Sequence, residues 1–453
     1  MLIYWMLIIF FVLAILSFWI VKTDIVNPGF VVPFVFFVST CCAIYNKSYW
    51  RYEIGAETFG ILVSGVMVYC IVSIITYKLC LKITLKKTYR PREIFNEIEI
   101  IQVQTICVVV LVCFEALSSV LYLREVIRIV TSNGGTLGSL STILNSYKLL
   151  MHFQNIDDSI SGLVSQMYQV TAVIGNVFVY IVINNFITEH KVSKIYSIPI
   201  LVYIISVLFS GNRLSILRLA TTTLVLYFIL WHRKNGWNKK IKIATLVKTM
   251  FLMIIVMMIF VFLRSVVGKT GADADTDPLY YIAQYAGGSI PLFDLYVKNP
   301  IADSGIFGKE TLYYINQFIA SKFGVSALDY TFAAEFRTLH GVNLGNVYTA
   351  FRAYYSDFGY AGMLFCTSIH SFLFSLLYAS IRKRTIYKRK LGIDIPLLLF
   401  LRMSYSYFFF SINNYTDWLS PNFFKLIVFY FLVVEFIKMN SISGIKIKIG
   451  RNT

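Results

Sequence analysis

Eleven apolar runs, most of them about 17 to 25 residues long, constrain this chain more than any other feature. A helix of that length spans the ~30 Å hydrocarbon core of a bilayer. The runs are Leu2–Val21, Gly29–Tyr45, Thr58–Tyr77, Ile100–Tyr122, Leu163–Ile187, Ile195–Ser210, Leu214–Trp231, Thr245–Leu263, Asp357–Ile381, Ile395–Ile412 and Asn422–Ile437. They do not alternate polar with apolar, so a transmembrane β-barrel is excluded. With 57% of residues hydrophobic and 14% charged, little is left over for a soluble domain. The expected fold class is an all-α polytopic membrane protein, one integral membrane domain over residues 1–453 with about eleven (10–12) transmembrane helices.

A net charge of +18 would suggest nucleic acid in a soluble protein. Here the basic residues gather in alternate loops, as the positive-inside rule requires, and no nucleic-acid partner is implied. With loops 78–98, 188–194, 232–244 and 382–394 inside, 24 basic residues fall inside and 13 outside. Seven of those outside lie in one long loop, and long loops cross regardless of charge. The N-terminus is then expected outside and the tail inside. The first run lacks a basic flank and a small-residue cleavage site, so it reads as a retained span. The seven cysteines lie in or beside apolar runs and suggest no disulfide framework. Residues Leu140 to Phe153 have the pattern of an interfacial amphipathic helix.

The long loop, 264–356, lies between the eighth and ninth runs and is expected to be extracytoplasmic. Its Asp273, Asp275 and Asp277 open like a calcium loop, but Pro278 stands where a glycine is needed and Gln284 where a bidentate Glu is needed. A solvated turn is the better reading. The five histidines have no zinc-like spacing, and no phosphate loop, dinucleotide fingerprint or nucleophile elbow occurs. No metal or cofactor is expected.

What remains is arginine and tyrosine at the outer surface. Arg213 sits in the turn Gly211-Asn212-Arg213, and Arg218 lies more than a helical turn deeper. A charge at that depth needs a partner or a wet cavity, and snorkelling to headgroups is the competing reading. Arg402 is similarly placed, with Glu115 and Glu435 as candidate counter-charges. The loop ends on Arg337, Asn346, Tyr348, Arg352, Tyr355 and Asp357; Arg264 opens it. The arginine fork binds phosphate bidentately, and tyrosine faces suit sugar rings while the hydroxyl hydrogen-bonds. An aromatic belt at the interface would explain the tyrosines alone. His340 and Glu335 are the candidate general bases.

The stretch SGNRLSIL (Ser210 to Leu217) and the loop end NVYTAFRAYYSDFGYAGML (Asn346 to Leu364), set among many spans, resemble Wzy-type oligosaccharide repeat-unit polymerases. In layout the resemblance covers nearly the whole chain; in residues it rests on those two stretches. It implies a GT-C-like, metal-independent glycosyltransferase of the bacterial cytoplasmic (inner) membrane that polymerises undecaprenyl-diphosphate-linked units into O-antigen or capsular polysaccharide. Arg213 and Arg352 would hold diphosphate or glycan, with Asn346, Tyr348 and Asp357 in support; Arg218, Arg264 and Arg337 rest on position. The implied partners are the lipid-linked glycan, membrane lipid and, as an open matter, a chain-length regulator. An O-antigen ligase-type transferase and, in a different class, a lipid-linked oligosaccharide flippase remain the alternatives.

Overall fold

The computed structural model describes residues 1–87, 99–153, 158–212, 214–237, 239, 241–266, 277–301, 305–387 and 392–441. The fold is mostly helical. Helices α1 (Leu2–Ile20), α2 (Pro28–Tyr45), α3 (Lys47–Trp50) and α4 (Ala56–Lys87) come first. Then follow α5 (Thr105–Ser132), α6 (Leu140–Phe153), α7 (Gly162–Glu189), α8 (Ser197–Phe209), α9 (Leu214–Asn235) and α10 (Ile243–Val266). Three short helices come next, α11 (Pro278–Gly287), α12 (Ser289–Lys298) and α13 (Tyr313–Phe323), before a hairpin of β1 (Arg337–Leu339) and β2 (Val342–Gly345). The chain closes with α14 (Ala350–Tyr387), α15 (Ile395–Phe408) and α16 (Pro421–Met439).

Each of the expected apolar runs lies on one of these helices, with shifts at the ends. Among the described residues seven helices, α1, α2, α4, α5, α7, α9 and α14, are long and apolar enough to cross a membrane. Those within α8, α10 and α15 are apolar but shorter, and α16 carries Lys425, Glu435 and Lys438 within its 19 residues. Large apolar side chains such as Phe11, Ile75, Val120, Leu201, Phe365 and Phe431 are exposed around the bundle, as side chains that face lipid would be.

The helices pack as two groups. One contains α1, α2, α4 and α14, and the other α5, α7, α8, α9 and α16; α15 touches members of both. Phe351 at the start of α14 keys the first group: its ring stacks on Phe36 at 5.2 Å and meets Phe410 edge-on at 5.4 Å.

The segment expected to be a loop, 264–356, is largely built structure. Asp277 caps α11 by accepting from the Leu279 N–H at 3.1 Å, and Pro278 supplies a preset first turn. That assigns Asp277 a capping role; Asp273 and Asp275 lie outside the described residues. Helix α11 then meets α2 backbone to backbone: a Cβ on Gly287 would come within 2.4 Å of the Ala43 nitrogen. Ser39 donates to the Ala286 carbonyl at 2.7 Å, and buried Asp294 of α12 accepts from the Gly55 N–H at 2.9 Å. The insertion thus closes over one end of the helices. At its far side α14 begins at Ala350, ahead of the expected Asp357, and so takes in Arg352. It breaks at Gly359 (φ 64°, ψ −167°), a conformation open in practice only to glycine.

At the opposite end the stretches beside the basic loops converge. Arg233 pairs with Asp394 at 2.8 Å, Lys234 donates to the Thr188 carbonyl at 3.1 Å, and the Arg382 guanidinium lies 4.8 Å from the Trp237 ring centre. The Val103 N–H donates to the Tyr196 hydroxyl at 2.9 Å and the Gln104 N–H to the Asn440 carbonyl at 3.1 Å.

Candidate functional site

A cavity of about 370 Å³ opens where the insertion meets the ends of α9, α14 and α15. Its wall is assembled from five stretches far apart in sequence: Arg218 of α9; Glu310, Tyr313 and Tyr314 around the start of α13; Phe332 and Ala334; Asn346 to Ala353; and Asn413 to Asp417.

Two charged clusters face it. In the first, Arg218 and Arg402 share Asp417, at 3.4 Å and 3.2 Å, and the Tyr405 hydroxyl donates to the same carboxylate. The Arg218 guanidinium also lies 4.1 Å from the Tyr405 ring centre and 5.4 Å from that of Tyr415. Two cations against one anion leave this cluster with a positive excess. Asp417 supplies the counter-charge expected of Glu115 or Glu435 for Arg402. Glu115 is fully buried on α5, and Glu435 pairs with Lys438 at 2.6 Å.

The second cluster is centred on Arg352, whose side chain is 4% exposed. One nitrogen binds the Glu310 carboxylate and the other binds Glu335 at 2.6 Å. Tyr296 and Tyr348 flank it, with ring centres at 4.7 and 4.9 Å. Glu335 is well supplied with donors: besides Arg352 it accepts from Arg337 at 3.0 Å and from the Tyr348 hydroxyl at 3.0 Å. Asp357 accepts the backbone N–H groups of Glu310 (3.1 Å) and Thr311 (2.6 Å), which fixes the Glu310 backbone beside Arg352. Burial pushes the Glu310 carboxyl up to about 7, outweighing the opposing pull of Arg352 and of a hydrogen bond with Ser356. Burial also raises the Tyr348 hydroxyl, and the neighbouring Glu335 raises it further.

Among the described residues, Nε of Arg218, Nε of Arg352, Oγ1 of Thr349 and the side-chain amide of Asn414 are buried behind the lining without a hydrogen-bond partner. Among the described residues no three His, Cys, Asp or Glu side chains are grouped so as to hold a metal ion.

The structure therefore brings together four of the sequence-derived candidates, Arg218, Asn346, Tyr348 and Arg352, on one cavity wall. Glu335, Arg337 and Asp357 support that wall from behind. Arg337 is held by the Leu295 and Asn299 carbonyls at 2.6 and 2.8 Å. Tyr355 points elsewhere, with its hydroxyl 3.3 Å from Glu57 on α4. His340, expected as a base, is exposed at the tip of the hairpin and is not among the lining residues, because the two-residue turn carries it out from the strands. Glu335, the other expected base, is also off the lining and is bound by its three donors. Arg213 lies outside the described residues, as does the side chain of Arg264 within α10. The sequence reading missed Glu310, Asp417 and Asn414. A signal for the last two was present: NNYTD is a short polar stretch directly after the run that contains Arg402. No known family model, curated protein or solved structure matches the chain.

Proposed function

We propose that this protein is a Wzy-type polymerase that transfers a growing glycan from undecaprenyl diphosphate to an incoming lipid-linked repeat unit. The reaction would occur at the outer face of a bacterial cytoplasmic membrane. The observation that carries the reading is the convergence of Arg218 and Arg352, from separate helices, on one tyrosine-rich cavity at the capped end of the bundle. A diphosphate leaving group develops negative charge as its bond to the sugar breaks, and preorganised guanidinium groups stabilise that charge. The positive excess around Asp417 suits the diphosphate. The tyrosines on the cavity wall, Tyr313, Tyr314, Tyr348 and Tyr415, suit sugars, whose C–H faces stack on aromatic rings while the tyrosine hydroxyls hydrogen-bond.

Charge supports the side of the membrane in this reading. The arginine cavity lies opposite the end where the stretches beside the basic loops converge, and that basic end belongs inside. On this reading the shorter helices α8, α10 and α15, together with α16, complete eleven spans in a GT-C-like arrangement. The capping insertion would shield the glycosyl donor from water. The product would be O-antigen or capsular polysaccharide.

The test is reconstitution of the purified protein in lipid vesicles with undecaprenyl-diphosphate-linked repeat units, followed by sizing of the glycan. A ladder of chain lengths is the expected product. Transfer of preformed polymer onto a lipid core without any ladder would instead indicate a ligase, and passage of units across the vesicle without new bonds a flippase.

A further inference from the structure

Three carboxylates surround Arg352, and their surroundings separate them. Asp357 accepts two backbone N–H groups and is a structural brace. Glu335 accepts from two arginines and a tyrosine and does not line the cavity. Glu310 lines the cavity, is 9% exposed, and shares its one arginine with Glu335. Asp417, the other carboxylate on the wall, already accepts from two arginines and a tyrosine hydroxyl, so its oxygens are occupied.

We propose that Glu310 is the general base of this site, taking the proton from the acceptor sugar hydroxyl, with Arg352 and Asp357 as its positioning residues. The assignment rests on the polymerase reading. In the step, the acceptor oxygen forms its bond to the anomeric carbon of the donor as the bond from that carbon to the diphosphate oxygen breaks. The electron pair of the broken bond stays on the diphosphate beside Arg218, and the hydroxyl proton passes to a Glu310 carboxylate oxygen and then to water. A carboxyl whose ordinary range has been lifted to about 7 suits this role, since proton transfer is most effective when base and working pH are matched.

The experiment is polymerisation of undecaprenyl-diphosphate-linked units in vesicles across pH, for the wild type and Glu310→Gln. The wild-type rate should climb as pH rises through about 7, because the carboxylate form is the active one. Glu310→Gln should lower the rate by about 10²–10⁴-fold and abolish the climb. Binding of undecaprenyl diphosphate alone should stay within about threefold, because the arginines remain. A Glu310→Gln protein that polymerises within about threefold of wild type overturns the assignment alone. So does a wild-type rate that is flat through this pH range, a readout that stands even if the variant fails to fold. A wild type that makes no polymer overturns the polymerase reading and the assignment together.

Discussion

The two ends of this bundle both bury charge, and they do so in opposite ways. Helix α9 carries Arg218 near its start and Arg233 near its end, roughly 22 Å apart at the α-helical rise. Arg233 is 1% exposed against an Asp394 that is fully buried; nearby His232 stacks on Trp237 at 5.0 Å, and Tyr378 donates to Asp24 at 2.6 Å. That end is closed, with its ion pair buried on both sides. At the other end Arg218 is 21% exposed, shares its carboxylate with a second arginine, and faces a cavity. Buried charge with a dedicated partner holds helices together, whereas buried charge that shares a partner beside open space is available to a ligand.

The sharpest way to break that contrast is to remove Arg352. Arg352→Ala leaves Glu310 and Glu335 without their common cation in a buried setting, which costs about 3–5 kcal/mol in stability. Among molecules that still fold, polymerisation should fall by about 10²–10³-fold, the loss seen when one preorganised charge-stabilising group is deleted. Arg352→Lys keeps the charge but loses the planar fork that meets Glu310 and Glu335 from separate nitrogens, so it should recover stability more than rate. Thermal unfolding and glycan sizing on the same preparations separate the two effects. Full polymer length in the Arg352→Ala molecules that fold would mean that the cavity end is as purely structural as its opposite.

The matching change at the closed end is Arg233→Met. Breaking a buried pair from one side costs about 3–5 kcal/mol, while replacing both partners with apolar groups is often neutral or better. Arg233→Met should therefore lower the unfolding temperature and the yield, and Arg233→Met combined with Asp394→Leu should restore both. Activity per folded molecule should match wild type in each. A rate loss that persists in the restored double variant would show that the closed end does more than hold the helices together.

Legibility in the sequence divides along the same line. The apolar runs were readable because a span announces itself by length, and all of them lie on helices. Arg352, Tyr348 and Asn346 were readable because they crowd together just before such a run. Glu310 was not, since its partner Arg352 is 42 residues away and nothing local marks it. Asp417 is not legible as the counter-charge of Arg402 because it lies beyond the apolar run, although it is only 15 residues on. The insertion was read as loop because α11, α12 and α13 are each 10 or 11 residues long, too short for their periodicity to stand out from polar neighbours.

Gly359 links the cavity to the long helix that carries it. The residue sits at φ 64° and ψ −167°, and a Cβ there would meet no atom within 4 Å, so the obstacle to substitution is the backbone conformation alone. Gly359→Ala should cost about 1–3 kcal/mol, either as strain or as a straightening of α14 that swings Arg352 and Asp357 away from Glu310. Straightening predicts a rate loss larger than the change in unfolding temperature would explain, and strain alone predicts the reverse. Measuring both on one sample decides whether the break sets the cavity geometry.

The smallest effect is expected at His340, one of the two candidate bases of the sequence. His340 occupies the first central position of the β1–β2 turn with φ 48°, followed by Gly341 at φ 83°. Two successive positive φ angles define the tight hairpin turn whose preferred residues are Asn-Gly or Asp-Gly, so what the chain needs at 340 is tolerance of a left-handed backbone. The side chain is exposed and lies off the cavity wall. His340→Asn should keep the hairpin, gain at most a few tenths of a kcal/mol, and leave polymerisation within about twofold. A loss beyond about tenfold, with unfolding temperature unchanged, would return the imidazole to the reaction. It would also mean that the insertion moves far enough on binding glycan to bring its hairpin tip over the cavity.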